Sequence, residues 1–163
     1  MTPPYRVGDE LPPLEIPVTR TLIVAGAIAS RDYQDVHHDA ASAREKGSPD
    51  IFMNILTTNG LVGRYITDHF GPTAVLRKVA IRLGAPNYPG DVLRLTGRIT
   101  ELRTADASPG GASSADAPSD EVVDAVEAIE AVVQVTGGNG IGRHVTGTVA
   151  VTLPEPSVKR AGA

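Results

Sequence analysis

The 163-residue chain contains no cysteine, which excludes disulfides, thiolate metal sites and a cysteine nucleophile. It has no tryptophan, two phenylalanines and four tyrosines, so its core must be built from alanine, valine, isoleucine and leucine. No apolar run approaches the roughly 18 residues that a transmembrane helix requires, and no membrane partner is expected. A basic excess is also missing: the formal net charge is −4, which argues against a nucleic-acid partner.

A chain of this length is expected to form a single domain over residues 1–163, with loose termini. The first residues, Met1–Arg6, lack the apolar segment of a signal peptide, and with the absence of cysteine this predicts a cytoplasmic protein. The segment Ala105–Asp120 consists almost wholly of Ala, Ser, Asp, Pro and Gly. It cannot bury enough apolar surface to order itself, so we expect a flexible insertion between two strands.

Hydrophobic periodicity predicts the elements around that insertion. Alternation predicts strands over 14–18, 74–83, 92–102, 121–135 and 143–153. A helical period predicts helices over 22–29, 40–46 and 53–70, with Thr21 and Asp39 as N-caps of the first two. Gly60 and Gly63 in the longest helix are expected to permit close backbone approach. Long antiparallel strands with one long apolar helix indicate an α+β fold whose sheet wraps around that helix, and an uncovered sheet edge favours dimerisation.

The most informative stretch runs from Ser30 to Asp39, immediately before a predicted helix. It places Asp32 and His37 five residues apart on a loop, where a carboxylate and an imidazole can converge on one water molecule. Such a pair can move protons on and off water near neutral pH. Spacing alone leaves an alternative open, in which Asp32 caps a turn and His37 is exposed.

Other polar residues carry weaker signals. His38 and Asp39 lack a third ligand at helical spacing, so no metal is predicted, and Asp39 is more simply a helix cap. His144 lies in a predicted strand and is interpreted as structural. Four arginines are either candidates for binding phosphate groups or solvated surface charges: Arg64, Arg77, Arg82 and Arg94.

One pattern extends over Ser30, Asp32, Gln34, Val36, His37 and Asp39, and continues with Ala43 and Gly47. It resembles the hydratase-2 motif of the MaoC-like enoyl-CoA hydratases, and the turn 89–91 (Pro-Gly-Asp) resembles a turn of that family. The resemblance implies a hot-dog fold, a curved antiparallel sheet around a central helix. It also implies hydration of a trans-2-enoyl-CoA to a 3-hydroxyacyl-CoA, with Asp32 and His37 as the catalytic dyad. No cofactor is implied, because CoA is part of the substrate.

Segments 31–39, 47–57 and 65–68 further resemble the small MaoC-like subunit of heteromeric hydratases in bacterial steroid side-chain catabolism. That likeness implies a steroid enoyl-CoA substrate and a larger MaoC-like partner in a heterodimer or heterotetramer. The chain departs from the family with Gln34-Asp35 in place of Asn-Pro, and with Met53-Asn54 in place of His-Gly. The resemblance implies that the Asn54 backbone N–H positions the substrate by polarising the thioester carbonyl oxygen.

Two alternatives remain open. A hot-dog acyl-CoA thioesterase would bind the same class of substrate and hydrolyse the thioester, although the Asp-x4-His motif favours hydration. The second alternative is a non-catalytic subunit that only supports a sister chain. The presence of both Asp32 and His37 argues against it.

Overall fold

Five antiparallel strands form one sheet in the computed structural model, which describes residues 5–105 and 128–154. The strands are β1 (Glu10–Pro17), β2 (Val75–Leu83), β3 (Val92–Ala105), β4 (Ala128–Gly138) and β5 (Arg143–Pro154). Their order across the sheet is β1-β3-β4-β5-β2, so β1 and β2 are the edge strands. The connection between β1 and β2 holds three α-helices, α1 (Arg20–Ala29), α2 (Ala40–Glu45) and α3 (Ile55–Phe70).

The sheet packs around α3, the longest helix. The buried face of α3 includes Val62, Tyr65 and Ile66, which share one core with the inward side chains of β3, β4 and β5. The Tyr65 ring lies so close to Gly97 that a Cβ added there would stand 3.0 Å from it. A glycine in the middle of β3 therefore allows α3 to pack closely against the sheet. This is the predicted hot-dog arrangement, and the predicted fold is confirmed.

The buried faces of the strands follow the alternation from which the strands are predicted. The inward residues of β3, which include Leu93, Leu95 and Ile99, are no more than 1% exposed. Val145, Val149 and Val151 on β5 are completely buried. Period-2 alternation therefore identified the side of the sheet that faces α3, because successive strand residues point to opposite faces.

Helix starts differ from the prediction by two residues. Thr19, not Thr21, caps α1, since its Oγ1 accepts a hydrogen bond of 3.0 Å from the Leu22 N–H. The long helix begins at Ile55 instead of residue 53, because Asn54 has extended backbone angles and serves as the N-cap. Capping depends on the backbone conformation of a residue, which its type alone does not fix, so helix starts are predicted only to within about two residues.

Close helix packing is found at a glycine other than those predicted. The prediction for Gly60 is wrong, since no described atom lies within 4 Å of where its Cβ would stand. At Gly63 a Cβ would meet Leu76 Cδ1 at 3.3 Å, so β2 does approach there. The tightest helix contact is between α1 and α3, where a Cβ on Gly26 would stand 2.2 Å from Thr57 Oγ1.

Some predictions fall on residues outside the described ranges. The insertion Ala105–Asp120 lies there, apart from Ala105 at the end of β3, and so does the part of the fourth predicted strand before Ala128. The single domain over residues 1–163 stays a prediction. None of the helices in 5–105 and 128–154 is long and apolar enough to cross a membrane.

Candidate active site

The end of α1 aims Asp32 back toward the body of the protein. Ser30 terminates the helix, and its hydroxyl donates to the Gly26 carbonyl oxygen at 2.7 Å. Arg31 follows in the left-handed region with φ of 57°, which is uncommon for a residue other than glycine. The chain then turns, and the Asp32 N–H donates to the Ala27 carbonyl at 2.9 Å. Asp32 is therefore held on the last turn of α1.

His37 reaches the same point from a 3₁₀ turn, Asp35–His37. Its Nε2 lies 3.4 Å from Oδ2 of Asp32, and the two side chains are 7% and 18% exposed. Its Nδ1 lies 2.7 Å from the carbonyl oxygen of Phe52. A carbonyl can only accept, so Nδ1 carries the hydrogen, and in the neutral ring Nε2 presents a lone pair. The predicted proximity of the Asp32 and His37 side chains is confirmed, and the alternative with an exposed His37 is wrong.

The Phe52 side chain also fixes the histidine ring. The two rings meet edge to face, with centroids 5.0 Å apart and planes at 81°. The Phe52 N–H in turn donates to the Val36 carbonyl, which ties this segment to the 3₁₀ turn. The imidazole is thus held by packing and by a hydrogen bond, so its Nε2 has one fixed direction.

The side chain of Asn54 enters the site, which sequence analysis missed. Its Oδ1 accepts from the Thr57 N–H at 2.9 Å, as an N-cap. Its Nδ2 donates to Ser30 Oγ at 2.9 Å and to Asp32 Oδ2 at 3.0 Å. The residue is 3% exposed. An asparagine before an apolar helical run is a cap signal, and that signal could have indicated a side-chain role.

The backbone N–H of Asn54 takes no part in these side-chain contacts. It donates no hydrogen bond to any atom of residues 5–105 and 128–154. It lies at the N-terminus of the 16-residue helix α3, where the helix dipole favours negative charge. This arrangement suits the role that the sequence resemblance implied for that N–H.

A buried hydrogen-bonded pair, Thr58 and His144, connects the first turn of α3 to β5. Thr58 Oγ1 lies 2.9 Å from Nε2 of His144, and His144 Nδ1 lies 2.6 Å from the carbonyl oxygen of Ala85. Burial lowers the pKa of His144, so the neutral ring is favoured. Nδ1 then donates to Ala85, and Nε2 accepts from the Thr58 hydroxyl. His144 joins β5 to α3, in agreement with the structural interpretation.

The weaker sequence signals have structural explanations. Asp39 Oδ1 accepts from Ala41 N–H at 2.8 Å and Ser42 N–H at 3.1 Å, so the predicted cap is confirmed. Within the described ranges, no group of three or more His, Cys, Asp or Glu residues could hold a metal ion. Two of the four arginines are engaged in exposed ion pairs, Arg64 with Asp68 and Arg94 with Glu15.

Solved structures of other proteins share this fold. No family model matches the chain. The (R)-hydratase of A. caviae involved in PHA biosynthesis is 18% identical, with a TM-score of 0.72 over 93% of this chain and 98% of that one. A MaoC-like dehydratase from Rhodospirillum rubrum is 17% identical, with a TM-score of 0.70 over 93% and 94%. At such low identity these two structures establish the shared fold alone.

The decisive comparison is with a curated protein of Mycobacterium tuberculosis, the 3-oxo-4,17-pregnadiene-20-carboxyl-CoA hydratase beta subunit. It is 40% identical over 147 residues, which are 90% of this chain and 95% of that protein. This chain belongs to the MaoC-like hydratase family. A crystal structure of the ChsH1-ChsH2 complex from the same organism contains a chain 38% identical to this one. The two superpose with a TM-score of 0.72 over 94% of this chain and 99% of that one.

Proposed function

We propose that this MaoC-like chain is the catalytic small subunit of a heteromeric enoyl-CoA hydratase that acts on a steroid side-chain enoyl-CoA. The observation that carries the proposal is the pairing of Asp32 Oδ2 with His37 Nε2 at 3.4 Å, with the ring direction set by Phe52. The substrate class rests on the name of the 40% identical relative, a pregnadiene carboxyl-CoA hydratase subunit.

In the proposed reaction, a water molecule lies within hydrogen-bond reach of both the Asp32 carboxylate and His37 Nε2. Its oxygen attacks C3 of the enoyl thioester while one of the two groups removes a proton. A proton is then delivered to C2, so that the elements of water are added across the double bond and a 3-hydroxyacyl-CoA results. Acid–base assistance of this kind is worth about 10²–10⁴ in rate.

Negative charge develops on the thioester oxygen as water attacks. The Asn54 backbone N–H at the start of α3 is the proposed donor to that oxygen, since it has no acceptor among the described residues. One such donor is worth about 10²–10³ in rate. The dyad and this N–H together supply the two elements that the hydration requires.

Exposed apolar side chains flank the dyad and favour an apolar acyl group. Tyr33, next to Asp32, is 66% exposed, and Ile28 on the last turn of α1 is 56% exposed. Ile55 and Leu56 on the first turn of α3 are 47% and 48% exposed. Large apolar surface of this kind at a polar site is typical of a binding surface for an apolar ligand or a partner.

The proposed partner is a larger MaoC-like subunit, in a heterodimer or heterotetramer. The relative is named a beta subunit, and the similar crystal structure is of a complex. In this chain β2 is an edge strand, and its Val75 and Leu76 are 47% and 36% exposed. An edge with exposed apolar side chains favours pairing with another chain. The proposed reaction requires no cofactor, and the proposed location is the cytoplasm.

The test is co-expression of the full chain with MaoC-like proteins encoded beside it, followed by assay of the purified complex. We expect loss of enoyl absorbance from a steroid enoyl-CoA with no release of free thiol. Thiol release without hydration would indicate a thioesterase instead. Hydration that survives unchanged in Asp32→Asn and His37→Ala complexes would assign the chemistry to the partner and leave this chain a supporting subunit.

A further inference from the structure

The Asn54 amide has only one orientation that satisfies its neighbours. The Thr57 backbone N–H can only donate, so the atom it faces at 2.9 Å must be the amide oxygen. The NH₂ group is therefore the end that faces Ser30 and Asp32. Ser30 uses its single hydroxyl hydrogen on carbonyl oxygens of α1, so its oxygen accepts from Asn54. The Asn54 NH₂ group therefore donates to both Ser30 Oγ and Asp32 Oδ2.

The two oxygens of Asp32 consequently have different surroundings. Oδ2 accepts from Asn54 at 3.0 Å and faces His37 Nε2 at 3.4 Å. The contact of Oδ1 among the described residues is the Gln34 N–H at 3.4 Å, a distance too long for a strong hydrogen bond. Oδ2 is therefore held in place by its neighbours, whereas Oδ1 keeps lone pairs free for a water molecule.

We infer that the Asn54 side chain is a positioning residue, which holds Oδ2 of Asp32 so that Oδ1 is the oxygen facing the attacking water. This inference rests on the proposed function and adds to it a second role for Asn54, separate from that of its backbone N–H. The Asp32 carboxylate can rotate about its side-chain bonds, and among the described residues the side chain that donates a hydrogen bond to it is that of Asn54. Misplacement of a catalytic group by about 1 Å lowers the rate by the order of 10²-fold.

Two substitutions separate positioning from helix capping. Asn54→Ser keeps an N-cap oxygen and the backbone N–H, but its side chain is too short to reach Asp32. Asn54→Asp also keeps the cap, and it replaces the donor with a second carboxylate against Asp32. Thr19→Ala is the matched control, because it removes the N-cap of α1 with no contact to Asp32.

The complex of full-length chain and partner is assayed with a steroid enoyl-CoA across a range of pH. We expect kcat to fall by the order of 10²-fold in Asn54→Ser with KM unchanged, and no fall in Thr19→Ala. Asn54→Asp should be slowest at high pH and recover as the pH is lowered, because a protonated carboxyl at position 54 donates as the amide does. A kcat for Asn54→Ser equal to that of the wild type would overturn the inference.

A crystal structure of full-length Asn54→Ser gives an independent result. We expect the Asp32 carboxylate to leave its position beside His37 Nε2 or to occupy two conformers. An unchanged, single conformer would refute positioning even if the variant is slow. An inactive wild-type complex would instead refute the proposed function, and the crystallographic comparison would still decide whether Asn54 holds Asp32.

Discussion

The close contact between Gly26 of α1 and Thr57 of α3 predicts that a side chain at position 26 will disturb the dyad. In Gly26→Ala, the new methyl group would stand 2.2 Å from Thr57 Oγ1 and 2.8 Å from Thr57 Cγ2. Rotation about χ1 of Thr57 exchanges these atoms without removing both, so the side chain cannot clear the space. The overlap with Oγ1 is about 1 Å relative to ordinary van der Waals contact, and α1 must move away from α3.

That movement acts directly on the candidate site. Asp32 and Ser30 lie at the end of α1, and Asn54 caps α3, so separation of the helices lengthens the Asn54–Asp32 hydrogen bond from its present 3.0 Å. A shift of about 1 Å lowers kcat by the order of 10²-fold. Overpacking costs about 1–3 kcal/mol, offset by about 1 kcal/mol because alanine favours helix over glycine. We therefore expect a large loss of activity with a small loss of stability.

The assay is enoyl-CoA hydration by the complex, with thermal unfolding measured in parallel. The double variant Gly26→Ala with Thr57→Ala is the compensating control, because it removes both overlapping atoms. Thr57→Ala alone should be well tolerated, since Oγ1 is buried without a hydrogen-bond partner among the described residues. Wild-type kcat in Gly26→Ala, or a double variant as slow as the single one, would refute the packing argument.

Three further predictions test the dyad, the support behind it and the free edge. Asp32→Asn and His37→Ala should each lower kcat by about 10²–10⁴-fold with cooperative thermal unfolding retained, and activity near wild type in either would remove the dyad assignment. Burial lowers the pKa of His144 below its ordinary value of 6.5, so as the pH falls the unfolded chain is protonated at this residue before the folded protein is. The free energy of unfolding, measured by denaturant titration, should therefore fall as the pH drops below about 6.5. A substitution of His144 by Asn should flatten that dependence, and an equally steep slope in the variant would assign it to other groups. Val75→Lys on β2 should weaken co-purification with the partner, whereas Ile141→Lys, at a more exposed apolar residue in the β4–β5 loop, should leave it intact. Equal retention of the partner by both variants would place the interface elsewhere.

Sequence patterns predicted the fold because they report a local property, the side of a strand or helix that meets the core. The alternation of Val145, Val149 and Val151 identifies the buried face of β5 without knowledge of its neighbours. The dyad was predictable for a similar reason: Asp32 and His37 are five residues apart, and one short loop brings them together. The resemblance to a known motif then indicated which of the two interpretations of that loop to expect.

The role of the Asn54 side chain could not be predicted in this way, because it depends on packing between distant segments. Asn54 lies 24 residues from Ser30 and 22 from Asp32. The contacts form only if α1 and α3 approach as closely as Gly26 and Thr57 allow. A pattern of residue types contains no measure of that distance. For the same reason the sequence indicates Gly60 and Gly63 in a recognisable helix, and not Gly26, where the tightest contact between helices occurs.

The dyad is built so that the position of one member depends on helix packing and that of the other on a loop. Asp32 follows α1 through the left-handed residue Arg31, and His37 is fixed by the carbonyl of Phe52. Asn54 connects the end of α1 to the start of α3, since it caps α3 and donates a hydrogen bond to Asp32. A change in the α1–α3 distance therefore alters the Asp32–His37 separation without altering the bond between His37 and Phe52. Variants that change the packing of α1 against α3 should thus move the Asp32 carboxylate and leave the His37 imidazole in place. Variants of Phe52 should move the imidazole and leave the carboxylate in place.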